Sequence, residues 1–140
     1  MHYLDTSVLV AYYCPERLSE KVQKALGSLG EPTISPLVEL EFHSALSLKV
    51  RTGVLGLPAA NKIAAMFQLH INDARYRLVP VGAREYAIAR QWVGGFTSTL
   101  RALDALHLAA TFANNMTLIS ADELLIRAAG QFGVKHLLIS

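Results

Sequence analysis

The feature that most restricts the fold of this chain is an alternation. Short apolar, β-prone runs are separated by longer segments of helical period from one end to the other. Parallel neighbours in a sheet need a long crossover, usually a helix, so the alternation predicts an α/β fold with a mainly parallel, helix-covered sheet. Strands are expected near His2–Leu4, Thr33–Ser35, Leu78–Val81, Thr117–Ser120 and His136–Ile139. Helices are expected over Ser7–Tyr13, Glu16–Leu29, Leu37–Arg51, Pro58–Asp73, Ala83–Gly94, Ala102–Asn114 and Ala121–Gln131. Gly27-Ser28-Leu29-Gly30, Thr52-Gly53 and Leu57-Pro58 punctuate them, and Gly94-Gly95-Phe96-Thr97-Ser98-Thr99 reads as a connector. With 52% hydrophobic residues among 140, the chain can bury a core without disulfide or metal staples, as one domain spanning 1–140.

Charge and cysteine content narrow the function classes. Thirteen basic against 11 acidic side chains give a net charge of +2, so any nucleic-acid surface must come from local clustering. The lone Cys14 excludes an internal disulfide, and no zinc-type Cys or His spacing is present. The apolar run from Val8 to Cys14 is far shorter than the roughly 20 residues of a membrane span. Met1 leads straight into the strand-like His2-Tyr3-Leu4 with no secretory leader, which makes the cytoplasm the expected location.

Four acids stand out by position. Asp5 and Asp122 each follow a strand and precede a helix, which is where an N-cap belongs. It is also the carboxyl edge where open parallel sheets bind ligands, and the two converge if the first and fourth strands are neighbours. On a helical wheel, Leu37, Leu40, Ala45 and Leu48 form an apolar arc with Glu41 in its middle, while Glu39 and His43 point away. A carboxylate so placed needs a structural ion pair or a water-filled cleft. Asp104 opens a helix that is apolar around most of its circumference, with Asp104, His107, Thr111 and Asn114 on one narrow stripe. That stripe reads as a polar cleft wall or a solvent face. His107 reads as a satisfied buried imidazole or a substrate contact.

Acids gathered at one edge of a small domain repel one another, so a cation should join them. Oxygen ligands favour a hard ion. Mg²⁺ or Mn²⁺ fits better than calcium, for which no Asp-x-Asp-x-Asp-Gly loop exists. Such an ion suits hydrolysis of a phosphodiester.

The segments Tyr3-Leu4-Asp5-Thr6-Ser7, Ile34-Ser35-Pro36-Leu37-Val38-Glu39-Leu40-Glu41, Leu103-Asp104-Ala105-Leu106-His107-Leu108-Ala109 and Ile119-Ser120-Ala121-Asp122 resemble the ordered motifs of PIN domains, especially VapC-type toxins. The resemblance implies a three-layer α/β/α fold with a five-stranded parallel sheet of order 3-2-1-4-5. It also implies a Mg²⁺ or Mn²⁺ site on Asp5, Glu41, Asp104 and Asp122, supported by the hydroxyls of Thr6 or Ser7 and Ser120. Ser120 stands where a threonine is common in the family. The implied activity is an endoribonuclease that leaves a 5′-phosphate and a 3′-hydroxyl. The implied partners are RNA, a second copy of the chain and a small VapB-type antitoxin.

Arg51 and Arg101 are candidates to hold phosphates, with His107 a further possible contact and surface solubility the plainer explanation for Lys49 and Arg51. Rival enzymes lose on named residues. An aspartyl-phosphate hydrolase needs an acid where Ser7 stands, and a receiver needs one at the third strand's end, where Val79-Pro80-Val81-Gly82 stands. No Walker or dinucleotide glycine motif occurs. The remaining alternative is a non-catalytic or housekeeping RNA-binding or RNA-processing protein on the same fold.

Overall fold

The computed structural model describes residues 1–140. In chain order its elements are β1 (His2–Leu4), α1 (Thr6–Tyr13), α2 (Ser19–Gly27), β2 (Thr33–Ile34), α3 (Pro36–Arg51) and α4 (Leu57–Asn72). There follow β3 (Arg77–Leu78), α5 (Ala83–Gly94), α6 (Ala102–Ala113), β4 (Thr117–Ser120), α7 (Glu123–Gln131) and β5 (His136–Leu138). The five strands form one parallel sheet of order β3-β2-β1-β4-β5 inside a three-layer α/β/α sandwich, the architecture expected from the sequence.

The chain builds outward from β1 twice, first through β2 to β3 and then through β4 to β5. Strand order therefore reverses between β1 and β4, where Leu4 lies opposite Ile119 and Asp5 N donates to Ile119 O. Loops leaving the carboxyl ends of two such strands diverge to opposite faces and open a crevice. Asp5, Ser120 and Asp122 lie on those loops or strand ends. No helix is long and apolar enough to cross a membrane.

Twenty-two buried residues form the main hydrophobic core, with Tyr3, Leu4, Leu118 and Ile119 at the sheet centre. Beside them an aromatic group fills the space between α1, α3 and α4. Phe42 lies 4.5 Å from Phe67 and 5.5 Å from Tyr13, ring centre to ring centre.

Three local expectations change. The buried stripe of α3 is Val38, Phe42 and Leu46, whereas Leu40 and Leu48 are exposed at 69% and 53%. The helix is rotated from the leucine-weighted arc because the β-branched and aromatic side chains face α1 and α4. Glu41 consequently sits on the margin of the buried face, not in its middle. The third strand ends at Leu78: Val79 N still bonds Ile34 O at 3.0 Å, but β2 gives way to α3 at Pro36, so no neighbouring strand continues beside Val81. Helix α2 starts at Ser19 instead of Glu16, because the Ser19 hydroxyl takes the Glu16 N–H and donates to Cys14 O, holding a turn ahead of the helix.

The α3 rotation separates two apolar residues that are two positions apart. Phe42→Ala should cost about 3–5 kcal/mol in urea-denaturation stability, while Leu40→Ala should stay within about 0.5 kcal/mol of wild type. Equal losses would contradict the assignment of faces.

Candidate functional site

The acid-bearing crevice is built from hydroxyls inward. Asp5 caps α1, its Oδ1 accepting from Val8 N at 3.2 Å, and is only 3% exposed. Burial pushes its carboxyl above the ordinary range, opposed by the hydroxyls of Ser120 and Ser7 and by the Val8 N–H. Ser120 Oγ donates to Asp5 Oδ2 at 2.5 Å and Ser7 Oγ donates to Oδ1 at 2.6 Å. Each serine is itself held from the other side: Ser7 Oγ accepts from Ala121 N and Ser120 Oγ accepts from Asp122 N. Asp122 in turn caps α7, its Oδ1 accepting from Leu124 N and Leu125 N. The capping explanation for Asp5 and Asp122 is thus realised, and the same geometry brings both to the switch point.

Glu41 enters from α3. Its Oε1 accepts from Thr6 Oγ1 at 2.7 Å and contacts His107 Nε2 in a short hydrogen bond. Burial works to raise this carboxyl, but the His107 contact and then Thr6 more than offset it, so its pKa lies below the ordinary carboxylate value. No protein donor reaches Oε2. Glu41 therefore has a structural partner, a hydrogen bond to His107, and it also faces the cleft.

Asp104 enters from the first turn of α6, with a side chain 31% exposed. Burial raises its carboxyl most, Arg101 works against that, the charge of Asp122 raises it again, and beyond these His107 lowers it slightly and Glu41 raises it slightly. Arg101 Nε stands 3.8 Å from Asp104 Oδ2 on a side chain 88% exposed. Two adjoining cavities meet at this pair. One, of about 400 Å³, is lined by Glu41, Arg101, Ala102, Leu103 and Asp104. The other, of about 300 Å³, is lined among others by Arg101, Asp104, Asp122 and Leu125.

The polar stripe of α6 divides in two. Asp104 reaches the cleft, but His107 and Thr111 are buried, and Thr111 Oγ1 donates back to His107 O while Asn114 Nδ2 donates to Ala110 O. Of the basic candidates, Arg101 is at the rim of both cavities. Arg51 lies ten residues beyond Glu41, about 15 Å along the helix, and donates to Ser47 Oγ. Lys49 pairs with Glu16 at 3.9 Å.

Sequence reasoning did not find two contributors, Tyr3 and Ser35. Tyr3 OH lies 2.7 Å from Ser35 Oγ and 2.9 Å from His107 Nδ1, inside the core. The available signal was that a phenol on a buried strand needs a polar partner.

No three of the acids and histidines are gathered tightly enough to share one coordination shell directly. The donor set is nevertheless all oxygen. Glu41, Asp104 and Asp122 each keep a carboxylate oxygen that no protein hydrogen bond reaches, whereas both oxygens of Asp5 are taken. That inventory fits a hard divalent ion that retains most of its water and takes one or two carboxylates.

An open parallel sheet with an acid-lined crevice at its switch point defines an α/β scaffold with a candidate ligand site. The chain matches the PIN domain family over residues 2–131 and belongs to it. No curated protein matches it significantly. Among solved structures it is similar to FitAcB from Neisseria gonorrhoeae, at 21% identity and TM-score 0.76, over 98% of this chain and 96% of that one. It is also similar to Mycobacterium tuberculosis VapC20, a Sarcin-Ricin loop cleaving toxin, at 19% identity and TM-score 0.71, over 91% of this chain and 95% of that one. A third likeness is to VapBC2 from Rickettsia felis bound to a promoter DNA fragment, at 17% identity and TM-score 0.68, over the whole of both chains. At these identities the likeness is one of fold.

Ser120→Ala would leave the buried Asp5 Oδ2 without a donor. The expected cost is about 1–3 kcal/mol in chemical denaturation at neutral pH. Unchanged stability would show that water replaces the hydroxyl freely.

Proposed function

We propose that this PIN domain is a Mg²⁺- or Mn²⁺-dependent endoribonuclease acting at the cleft of Asp5, Glu41, Asp104 and Asp122. The observation that carries this reading is Asp104, whose half-buried carboxylate lines both the cavity of Glu41 and that of Asp122 and is driven up in pKa by burial and then by the charge of Asp122. A cleft of that kind favours a bound cation, and a cation beside carboxylates favours a phosphodiester.

In this reading Asp104 and Asp122 hold the ion, with Glu41 completing the site through its free oxygen and through water. Asp5 is the buried anion that fixes the floor, supported by Ser7 and Ser120, while Thr6 holds Glu41. The bound ion would supply charge neutralisation and Lewis acidity toward the scissile phosphate. A water oriented by the free carboxylate oxygens of Glu41 and Asp104 attacks phosphorus. Its oxygen forms the new P–O bond as the water gives a proton to one of those free carboxylate oxygens, and the bond to the 3′ oxygen breaks, that oxygen leaving as a hydroxyl with a proton from solvent. Arg101, exposed at the rim, pairs with a backbone phosphate. Arg51 is too far along α3 to reach that phosphate and serves, if RNA extends that way, as an outer contact.

The similar structures support a further part of the proposal. FitAB and VapBC2 were solved bound to DNA fragments, and VapC20 is a toxin. We therefore assign this chain the toxin role in a VapBC-type pair, as a homodimer neutralised by a small antitoxin in the cytoplasm. Induced expression of the wild-type chain should arrest growth, and Asp5→Asn should not. Unimpeded growth with soluble wild-type protein would favour housekeeping RNA processing.

Cleavage of a labelled structured RNA, such as a ribosomal hairpin, should require Mn²⁺ or Mg²⁺ and fall at least a hundredfold in Asp104→Asn, a loss of about 2.7 kcal/mol in barrier terms. Equal cleavage by wild type, Asp5→Asn and Asp104→Asn would sink the site assignment.

Ion binding has its own readout. A ligand taken only by the native state stabilises it by about 2.7 kcal/mol at a hundred times its Kd. Mn²⁺ should raise the melting temperature of the wild type by several degrees, and the rise should shrink in Asp104→Asn. A flat response at saturating Mn²⁺ would count against the cation site.

A further inference from the structure

Behind the cleft a hydrogen-bonded chain runs from the backbone of α3 through the centre of the sheet to Glu41. Val38 N lies 3.4 Å from Ser35 Oγ, Ser35 Oγ lies 2.7 Å from Tyr3 OH, Tyr3 OH lies 2.9 Å from His107 Nδ1, and His107 Nε2 contacts Glu41 Oε1. Tyr3, Ser35 and His107 are at most 2% exposed, so water does not complete their bonding.

The direction of this chain follows from its two ends. At one end Val38 N–H can only donate, so Ser35 Oγ accepts there and its own proton is free to go to Tyr3. At the other end Glu41, held as a carboxylate, can only accept, so His107 Nε2 carries a proton. In a neutral imidazole Nδ1 is then an acceptor and must receive the Tyr3 proton. Burial keeps Tyr3 protonated far above neutral pH, so it remains a donor. Every group is satisfied when all protons point one way, from Ser35 to Tyr3 to His107 to Glu41. The opposite sense needs a charged, buried imidazole and leaves the Ser35 proton without an acceptor.

We propose that Tyr3 and His107 are positioning residues for the cleft. Tyr3, by donating to Nδ1, holds the His107 ring and reinforces the Nε2–H tautomer that Glu41 requires, and His107, together with Thr6, clamps Glu41 Oε1 so that Oε2 is presented to the crevice beside Asp104. This rests on the ribonuclease reading of that crevice for its consequence in catalysis, but the strut itself is a property of the folded chain. It gives α6 two tasks, since one turn carries both Asp104 and the residue that aims Glu41. The aim is referred back to β1 through Tyr3, two residues before Asp5. All three carboxylates thereby share one frame. A carboxylate left free to change rotamer would lose that registration, and interactions that orient ion-binding groups in this way are typically worth about 10–100-fold in metal affinity or activity.

The test uses the full-length chain with histidine nitrogens labelled. Long-range ¹H–¹⁵N correlation should show His107 as a single Nε2–H tautomer, with its signals assigned by their absence from His107→Gln. Tyr3→Phe, confirmed folded by circular dichroism, should keep the Nε2–H proton that Glu41 accepts but shift the Nδ1 signal, which has lost its donor. The Mn²⁺ concentration giving half of the thermal stabilisation should rise about tenfold in Tyr3→Phe and His107→Leu. In His107→Gln, whose amide replaces the Nε2–H donor, most of that loss should be recovered. Where RNA is cleaved, the same two variants should lower kcat about tenfold with KM for RNA changed less than twofold. A Nδ1–H tautomer in the wild type overturns the proposal. So do folded Tyr3→Phe and His107→Leu proteins that keep wild-type Mn²⁺ affinity. Absence of RNA cleavage by the wild type would defeat the ribonuclease reading alone, because the tautomer and Mn²⁺ measurements decide the strut without any turnover.

Discussion

The constraint on which the rest of this structure depends is the burial of Asp5. An ionised carboxylate that is 3% exposed is stable only if it is fully supplied with donors, and an unpaired charge there would cost several kcal/mol. Its donors come from separate parts of the chain: Ser7 and Val8 at the start of α1, and Ser120 at the end of β4, 115 positions away. The acid is therefore satisfied only once β1 and β4 are paired and α1 has begun. The same serines accept from Ala121 N and Asp122 N, so the requirement passes on to the N-cap of α7. One buried charge thus ties together both strands and both helices that bound the crevice, which places the reversal of strand order and the acidic floor at a single point.

Glu41 and Asp104 come to that floor differently. Neither lies on a strand end. Glu41 is delivered by α3, whose orientation is set by Val38, Phe42 and Leu46 packing toward α1 and α4. Asp104 is delivered by α6, which lies against α5 and carries the fully buried Ala105, Leu108, Ala109 and Ala110. The apolar core thus aims two of the four acids, and the hydrogen-bonded switch point holds the other two. A change in either packing layer moves the cleft without touching an acid.

Much of this was legible in the residue pattern. The alternation of periods located all five strands and seven helices, and the strand-end positions of Asp5 and Asp122 marked the switch point because capping and ligand binding use the same geometry there. Glu41 was identified on a wheel weighted by its leucines, yet Leu40 and Leu48 face solvent and the buried face is the neighbouring one. The residue was significant although the arc was displaced, since a carboxylate at the margin of a buried face faces the same desolvation in milder form. Tyr3, Ser35 and His107 could not be joined from sequence. Their contacts span 32 and 104 positions, and no local period encodes a partner at that range. The third strand was misplaced because Val79-Pro80-Val81 has strand-like composition, while its neighbour β2 turns into α3 at Pro36 and leaves it nothing to pair with.

The two acids that the helices deliver sit under opposite controls, and this gives the cleft its chemical character. Glu41 is kept below the ordinary carboxylate pKa by contacts that belong to the fold, from His107 and from Thr6. Asp104 is pushed above it by burial and by Asp122 and Glu41, against the opposing influence of the exposed Arg101 and of His107. Environments that drive neighbouring carboxyls apart assign them different roles. Glu41 needs nothing from outside to remain charged. Asp104, whose ionised form burial disfavours, gains from an incoming positive charge, and it is the acid that lines both cavities. A cation entering the crevice is therefore drawn toward Asp104, beside a carboxylate that the protein has already fixed in place.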